Sequence, residues 1–352
     1  MPKLASLDLS YCGQVSDHGL VSLVTGHDAQ GGKDDRFGQC QQLTRVMVTG
    51  CQLVSSHSIQ TLLLTLHNLT VIDYPDTAGV LHHLVTEGLL DRTLRLRSLY
   101  LGEGCSNETL SLVLATCPTV THVYTVLTDN MSPTSLLSLL DVKYLQELHV
   151  RSETDNDDDV ICEPFCDVMT PVLARHGDTL VSINIAEVSH VSVGSLCQHC
   201  PNLLHLALLW NVSYRLTEEG VNREWFPRLR TVNIAIRDEG EDNYYPAEMS
   251  FHNWLQILCS PSLQSISICQ SRNLSDECIQ TTLAQHSFEH LEHLELSGCH
   301  EVSFDGLEPL LEADNCIKRV KLLKCNLVTK RDIQNYQKRI KKWKWDLNLE
   351  WS

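Results

Sequence analysis

The fold is decided by one stretch of the sequence, Leu294-Glu-Leu-Ser-Gly-Cys299-His-Glu-Val-Ser-Phe-Asp-Gly-Leu307. Its L-x-L segment alternates apolar and polar residues, which is the period-two pattern of a strand with one buried face. The residues from Ser303 to Leu311 then place apolar side chains on one helical face behind a serine cap. The stretch therefore predicts a strand, a turn at Cys299 and a helix.

The same apolar spacing, L-x-x-L-x-L, recurs in twelve copies along the 352-residue chain, and most copies start 23 to 28 residues apart. One strand and one helix cannot bury their apolar faces alone, so neighbouring copies must stack. The sequence predicts one α/β domain over residues 1–352, a leucine-rich-repeat solenoid or horseshoe with a parallel concave sheet and helices on the convex side. The copies start at Leu4, Leu43, Leu69, Leu96, Val120, Leu145, Leu180, Leu203, Leu229, Leu263, Leu291 and Ile317.

Three intervals between copies are longer and predict insertions near residues 26–40, 152–166 and 238–250. The second contains the acidic run 153–159. We interpret this run as a solvated loop rather than a metal or partner site, because no glycine turn or spaced ligand pattern accompanies it.

A small residue recurs eight positions after the start of several copies: Cys12, Cys51, Asn211, Cys299 and Cys325. In this repeat class that side chain points inward and satisfies backbone groups at the turn. We expect these four cysteines to be buried and unpaired. Prolines two residues ahead of a repeat start should end the preceding helix, at Pro118, Pro201, Pro227 and Pro261.

The strings Leu7-Asp-Leu-Ser-Tyr-Cys12 and Leu294-Glu-Leu-Ser-Gly-Cys299 resemble the cysteine-containing repeats of F-box/leucine-rich-repeat proteins and of antagonist-of-mitotic-exit-like proteins. The resemblance implies substrate recognition for an SCF-type (cullin) ubiquitin ligase, in which an F-box docks on the Skp adaptor. No F-box is present in this chain, whose first copy starts at Leu4, so ligase components are expected to bind through a missing N-terminal region. The alternative is a free-standing leucine-rich-repeat adaptor or inhibitor without ubiquitin transfer.

The composition bounds the compartment and the partners. Fifteen cysteines at irregular spacing, with no signal segment, predict free thiols and a cytoplasmic protein. Residues 317–345 hold eleven Lys or Arg and one Asp, which gives this segment a charge of +10. Because the net charge is −17, the rest of the chain carries −27. Such an acidic body disfavours nucleic acid as a partner. The longest apolar stretches are too short to span a bilayer, which predicts no membrane partner.

The sequence gives no support for an enzyme, because it contains no nucleophile, metal-protease or phosphate-loop motif, and we expect no cofactor. A zinc site at Cys162, Cys166, Cys197 and Cys200 is the one alternative. It is disfavoured because Cys197 and Cys200 lie at a helix end, in a C-P position that Cys117 also occupies without a partner.

The repeat register identifies the side chains that face the concave side, namely positions three, five and seven of each copy. Large side chains cluster there in the fourth to sixth copies, and Tyr and Arg are common interface hot spots. We therefore predict a protein-binding site on the concave face. The alternative is that Tyr124 merely packs sideways on its sheet neighbours. The predicted site consists of Tyr100, His122, Tyr124, Glu147, His149 and Arg151.

The C-terminal residues 330–352 predict a cap formed by a helix and an edge strand. Ile333, Tyr336 and Ile340 share a helical stripe, and apolar residues alternate with polar ones from Trp343 to Trp351. The alternative is a basic docking segment at residues 338–342, which would also serve as a nuclear import signal and place the protein in the nucleus.

Overall fold

The computed structural model describes residues 3–25, 40–102, 105–128, 131–153, 165–215, 225–237, 249–313 and 315–352. These residues belong to two compact units, Met1–Val160 and Ile161–Ser352. The predicted insertions lie almost wholly outside the described residues, as do the acidic run after Glu153 and Cys162. The expectation of a single domain remains a prediction.

Unit 1, Met1–Val160, alternates strands with helices. Its helices are α1 (Asp17–Thr25), α2 (Ser56–Thr65), α3 (Thr77–Thr86), α4 (Asn107–Thr116) and a 3-10 helix at Pro133–Asp141. Its strands are β1 (Ser6–Asp8), β2 (Arg45–Met47), β3 (Val71–Asp73), β4 (Ser98–Leu101), β5 (His122–Leu127) and β6 (Glu147–Ser152).

Unit 2, Ile161–Ser352, repeats the same alternation. Its strands are β7 (Ser182–Ala186), β8 (His205–Leu209), β9 (Thr231–Ala235), β10 (Ser265–Cys269), β11 (His293–Ser297), β12 (Arg319–Leu323) and β13 (Asn348–Trp351). Its helices are α5 (Phe165–His176), α6 (Val193–His199), α7 (Phe251–Leu258), α8 (Asp276–Leu283), α9 (Phe304–Glu312) and α10 (Lys330–Trp343).

All twelve predicted L-x-L segments are strands, and the pairings within each unit are parallel and in register. β1 to β3 pair in order, β4 to β6 pair in order, and β7 to β13 pair in order. In unit 2, for example, Ile266 is opposite Val232 and Leu294. The leucine-rich-repeat solenoid predicted from the sequence is confirmed.

Pairing is interrupted between β3 and β4, where the sequence led us to expect a continuous sheet. One backbone bond still links the two copies, from the Arg97 N–H to the Thr70 carbonyl (2.7 Å). A Cβ atom on Gly102 would lie only 2.8 Å from the Pro75 carbonyl oxygen, so the two copies also remain in close contact beyond the ends of β3 and β4.

Several helices begin at serine caps, and three end at a predicted proline, whereas the helix expected before Pro227 falls on residues outside the described part of the chain. The Ser55, Ser106, Ser250 and Ser303 hydroxyls each accept a hydrogen bond from an N–H of the first helical turn. Pro118, Pro201 and Pro261 follow one or two residues after the caps of α4, α6 and α7. None of the described helices has the length and the apolar composition needed to cross a membrane.

The turn residues of several copies join their copy to the copy before it. Asn211 is buried, donates to the Ile185 carbonyl (3.1 Å) and accepts from the Val188 N–H (3.2 Å). Cys51 donates in the same way to Leu9 (3.0 Å), Cys299 to Ile268 (3.7 Å) and Cys325 to Leu296 (3.6 Å).

The burial expected of the turn cysteines is confirmed for Cys51, Cys299 and Cys325, whereas Cys12 is exposed, so that expectation was wrong. The reason follows from the geometry of the others. Their thiols are covered by the strand of the preceding copy, and no strand precedes β1 in the described residues.

The residue before each turn residue adopts a left-handed conformation. Its φ angle is +61° at Tyr11, +73° at Gly50, +51° at Trp210, +64° at Gly298 and +50° at Lys324. This conformation is easy for glycine and costly for other residues. The conformation occurs despite this cost because it turns the chain away from the strand and directs the next side chain inward.

Replacing Asn211 tests how much the hydrogen bonds of a turn residue stabilise the stacking of copies. Asn211→Ala should lower the free energy of unfolding of unit 2 by about 2 kcal/mol or more, because a buried N–H and a buried carbonyl both lose a partner. Cys12→Ala, at the same repeat position but exposed, should change stability by less than about 0.5 kcal/mol. Urea unfolding followed by circular dichroism measures both variants. An equal loss of unfolding free energy in the two variants would contradict the stabilising role of the buried turn residue.

Candidate functional site

The predicted binding residues lie on the strand face of unit 1, which we define as the side of the sheet turned away from the helices. On β4, β5 and β6 the inward residues are buried, among them Leu99, Val123 and Leu148. The alternating residues point outward. The register places Tyr100 beside Tyr124 and Tyr124 beside His149, with His122 beside Glu147 in the row below.

Three rings form a continuous stack across these strands. The Tyr100 and Tyr124 ring centroids are 4.5 Å apart and nearly parallel, at 7°. The Tyr124 and His149 centroids are 4.4 Å apart at 39°. Adjacent strands lie about 4.8 Å apart, so the sheet itself sets this stacking distance. The rings cover each other's faces and leave their outer edges accessible.

Glu147 holds the polar ends of the cluster together. The Tyr124 hydroxyl donates to Glu147 Oε2 (3.2 Å). The imidazoles of His122 and His149 lie 3.4 Å and 4.0 Å from the two oxygens of the same carboxylate. Thr121 Oγ1 lies 2.7 Å from His122 Nδ1 and fixes the other side of that ring. The stack and the carboxylate together define the strand-face cluster: Tyr100, His122, Tyr124, Glu147 and His149.

Burial and the neighbouring charge shift the titration of the cluster. Burial raises the pKa of Tyr124, and its contacts with Tyr100 and Glu147 raise it further. The pKa of Tyr100 is raised by burial and by the charge of Asp73. Burial, the largest effect, lowers the pKa of His149, while the Glu147 carboxylate opposes this and His122 adds to it. Both phenols therefore stay protonated at neutral pH.

Five of the six predicted residues come together in the strand-face cluster, and Arg151 does not. Arg151 is exposed near the end of β6, where its guanidinium lies 3.5 Å from the Glu153 carboxylate. The sideways packing of Tyr124 that the sequence left open is observed. It coexists with a partly exposed outer edge, so the two interpretations of Tyr124 are compatible.

The sequence reasoning missed two residues beside the cluster. Asp73 occupies the same repeat position on β3 that Tyr100 occupies on β4, and its charge acts on Tyr100. Extending the register one copy toward the N-terminus would have found it. Thr121 precedes β5, and no sequence signal indicates its bond to His122.

The strand face of unit 2 has a different chemistry, since its outward residues include ion pairs between neighbouring strands. Lys321 on β12 donates to Glu295 on β11 at 2.7 Å, and Lys318 donates to Glu292 at 2.9 Å. These exposed pairs contribute little to stability. They give this surface a chemistry unrelated to that of the strand-face cluster.

The described residues contain no group of His, Cys, Asp or Glu side chains that would hold a metal ion. Cys166, Cys197 and Cys200 are free in this part of the chain, and Cys162 lies outside it. Burial raises the pKa of Cys117 and of Cys200 to about 12. Such thiols remain protonated at neutral pH and are poor nucleophiles.

No protein-family model matches the chain, and no curated protein does. Among solved structures, it is similar to an internalin of Listeria monocytogenes, with a TM-score of 0.47, 15% identity and coverage of 96% of this chain and 84% of that one. It is similar to Rad7 in the Rad7–Elc1 complex of yeast, with a TM-score of 0.35, 16% identity and coverage of 92% and 83%.

A third similar structure is TLR13 in its complex with ssRNA13, with a TM-score of 0.35 and 14% identity. The match covers 84% of this chain and 47% of the TLR13 chain, so this chain spans about half the length of TLR13. Likenesses this distant assign no function, which must rest on the residues of the chain itself.

The titration of His149 tests the geometry of the strand-face cluster. We expect His149 to take up its proton at a lower pH than an ordinary histidine, because burial disfavours the imidazolium. Glu147→Gln removes the charge that opposes burial and should lower the pKa of His149 further, whereas His122→Gln should raise it. A pH titration of the ring-proton NMR signals measures this shift.

The matched control is Glu295→Gln on the strand face of unit 2, which should leave the His149 titration unchanged. An unchanged His149 in Glu147→Gln would show that the carboxylate does not act on the ring. Since the folded pKa of His149 is lowered, this group stabilises the fold above about pH 6.5, and the contribution is lost as the pH falls below that value.

Proposed function

We propose that this chain is a non-catalytic protein-binding scaffold whose partner contacts the strand-face cluster and Arg151. The observation that carries the proposal is the stack of Tyr100, Tyr124 and His149, held by Glu147 and partly open to solvent. Such rings are already ordered before a partner arrives. Binding there does not have to freeze freely rotating side chains, which is a main cost of association.

The residue types suit this role. Tyr and Arg supply much of the binding energy of protein interfaces, where they combine an apolar body with a polar tip. In the cluster, the phenol edges and the Glu147 carboxylate offer apolar contact and hydrogen-bond acceptors within one small area. Arg151 adds a positive charge at its border, about 3.5 Å from Glu153.

Catalysis is disfavoured by the same chemistry. The phenol hydroxyls within the cluster belong to Tyr100 and Tyr124, whose raised pKa values keep both protonated and weakly nucleophilic. His122 and His149 both face Glu147, and the hydroxyl that lies 2.7 Å from the other nitrogen of His122 is that of Thr121. The buried thiols described above are equally unreactive at neutral pH.

The finer proposal is substrate recognition for an SCF-type ubiquitin ligase, and it is supported by the cysteine-containing repeat pattern alone. A free-standing adaptor or inhibitor is the second candidate, since contact through the strand-face cluster by itself requires no ligase subunit. Co-precipitation of the Skp adaptor and a cullin from cells that express the complete transcript distinguishes the two. Recovery of both ligase subunits supports the first, and recovery of neither supports the second.

The binding surface itself is tested by comparing wild type with the double variant Tyr124→Ala/Arg151→Ala in pull-downs from lysate, followed by titration of the recovered partner. Each truncation should weaken binding by about 1 to 3 kcal/mol if the residues are hot spots. The matched control is Glu295→Ala/Lys321→Ala, which removes an ion pair from the strand face of unit 2 and should leave binding unchanged.

Thermal unfolding must accompany the comparison, because Tyr124→Ala also removes ring contacts worth about 0.5 to 1.5 kcal/mol each. Tyr124→Phe separates the two effects, since it keeps the stack and removes only the hydroxyl bond to Glu147. Equal recovery of every partner by wild type and the double variant, at temperatures where both are folded, would eliminate this surface.

A further inference from the structure

The last turn of α10 presents a second surface of distinct chemistry. The helix begins at a capping box, in which Thr329 and Asp332 bond reciprocally, and it ends at Lys344, whose φ of +54° reverses the chain. The Trp345 N–H then donates to the Ile340 carbonyl at 3.1 Å. This turn fixes the Lys-Trp patch, which we define as the five consecutive exposed residues Lys341, Lys342, Trp343, Lys344 and Trp345.

The two tryptophan side chains of the patch are exposed to solvent. Trp343 is 60% exposed and Trp345 is 38% exposed. Lys342 Nζ lies 5.3 Å from the centre of the Trp343 ring. Trp345 packs one side against Tyr336, at 5.9 Å between centroids, and Tyr336 in turn is buried against Phe304. A solvated capping helix explains the lysines but gives no reason to expose two indole rings.

The charges of the patch are unbalanced. Arg339, one turn earlier, is neutralised by Glu308 and Glu312. Lys341, Lys342 and Lys344 form no ion pair with any described carboxylate, and Lys338 beside them forms none either. A partner that covers the Lys-Trp patch must therefore present an anionic surface that also accepts indole rings.

We propose that the Lys-Trp patch binds the anionic surface of a lipid bilayer, with the lysines among the headgroups and the two indoles at the level of the acyl boundary. Lysine clusters are attracted to acidic lipids, and tryptophan prefers the membrane interface because its ring is apolar and its N–H is polar. The expectation of no membrane partner considered only spanning segments, which peripheral contact does not require.

The observations favour a bilayer over nucleic acid. Single strands are typically held in a groove where several rings stack on successive bases. In the Lys-Trp patch, one side of Trp345 is already packed against Tyr336. Trp343 is therefore the ring of the patch that remains available for stacking on a base. The cations of the patch are lysines, which act as point charges, whereas recognition of individual phosphates favours the two-pronged contacts of arginine.

The acidic remainder of the chain does not prevent this contact. At physiological ionic strength, charges farther than about 8 Å from the surface are largely screened. The carboxylates next to the patch along the chain are few: Asp346, and Glu350 on β13. Binding should depend on salt, because the lysines act through the same screened attraction.

Co-sedimentation of the full chain with vesicles tests the proposal. Vesicles of 70% phosphatidylcholine and 30% phosphatidylserine should bind the protein, because their acidic headgroups attract the lysines. Vesicles of phosphatidylcholine alone should bind little. Lys341→Glu/Lys342→Glu should reduce partitioning by more than about tenfold. Trp343→Ala should reduce it as well, and tryptophan fluorescence should shift to the blue on binding to wild type.

The matched control for the indole is Trp210→Ala, which removes another exposed tryptophan of unit 2 that lies outside the patch and should leave vesicle binding unchanged. Circular dichroism confirms that each variant is folded. Equal binding of wild type and Lys341→Glu/Lys342→Glu would overturn the proposal, as would no binding to the anionic vesicles. Binding of a labelled single-stranded oligonucleotide in place of vesicles would also overturn it. None of these outcomes depends on the strand-face cluster, so the proposed function is tested separately.

Discussion

The structure depends on a contact that no single repeat can make by itself, the hydrogen bond from a turn side chain to a strand carbonyl of the preceding copy. Asn211, Cys51, Cys299 and Cys325 all make it, although the side chains differ. The bond satisfies a buried carbonyl at the point where the chain leaves the strand. Each of these copies is thereby held in register with its neighbour, and the backbone ladders of the parallel strands extend that register, so that the rows of outward side chains become continuous.

The strand-face cluster depends on the same in-register stacking, which the backbone pairing of β4, β5 and β6 provides there. Ring stacking at 4.5 Å between Tyr100 and Tyr124 requires the same repeat position on adjacent strands and no slip between them. Glu147 then occupies the row of His122 and contacts three polar side chains at once. A surface of this kind is rigid because the sheet is rigid, which is why repeat proteins are effective scaffolds for binding.

Much of the fold was predictable from the sequence, because alternation of leucines specifies both the strand and its buried face. The failures have physical causes. Cys12 carries the same motif as Cys299 but lacks a preceding strand to cover it. The alternation from Trp343 onward predicted a strand, yet α10 continues through Trp343, the chain reverses at Lys344 in a left-handed conformation, and β13 begins only at Asn348. In the candidate site, the register predicted which residues share a face. It did not predict the stacking or the central place of Glu147, which depend on side-chain rotamers.

The central claim is that the strand face of unit 1, and not its helix side, meets a protein partner. Photocrosslinking tests it most directly, with a photoreactive phenylalanine analogue placed either at Val126, beside Arg151 on the strand face, or at Ala115, exposed on α4. The account predicts that illumination in lysate links the same discrete protein to position 126 in repeated preparations, and that position 115 does not capture it. Capture of that protein from position 115 and not from position 126 would contradict the account.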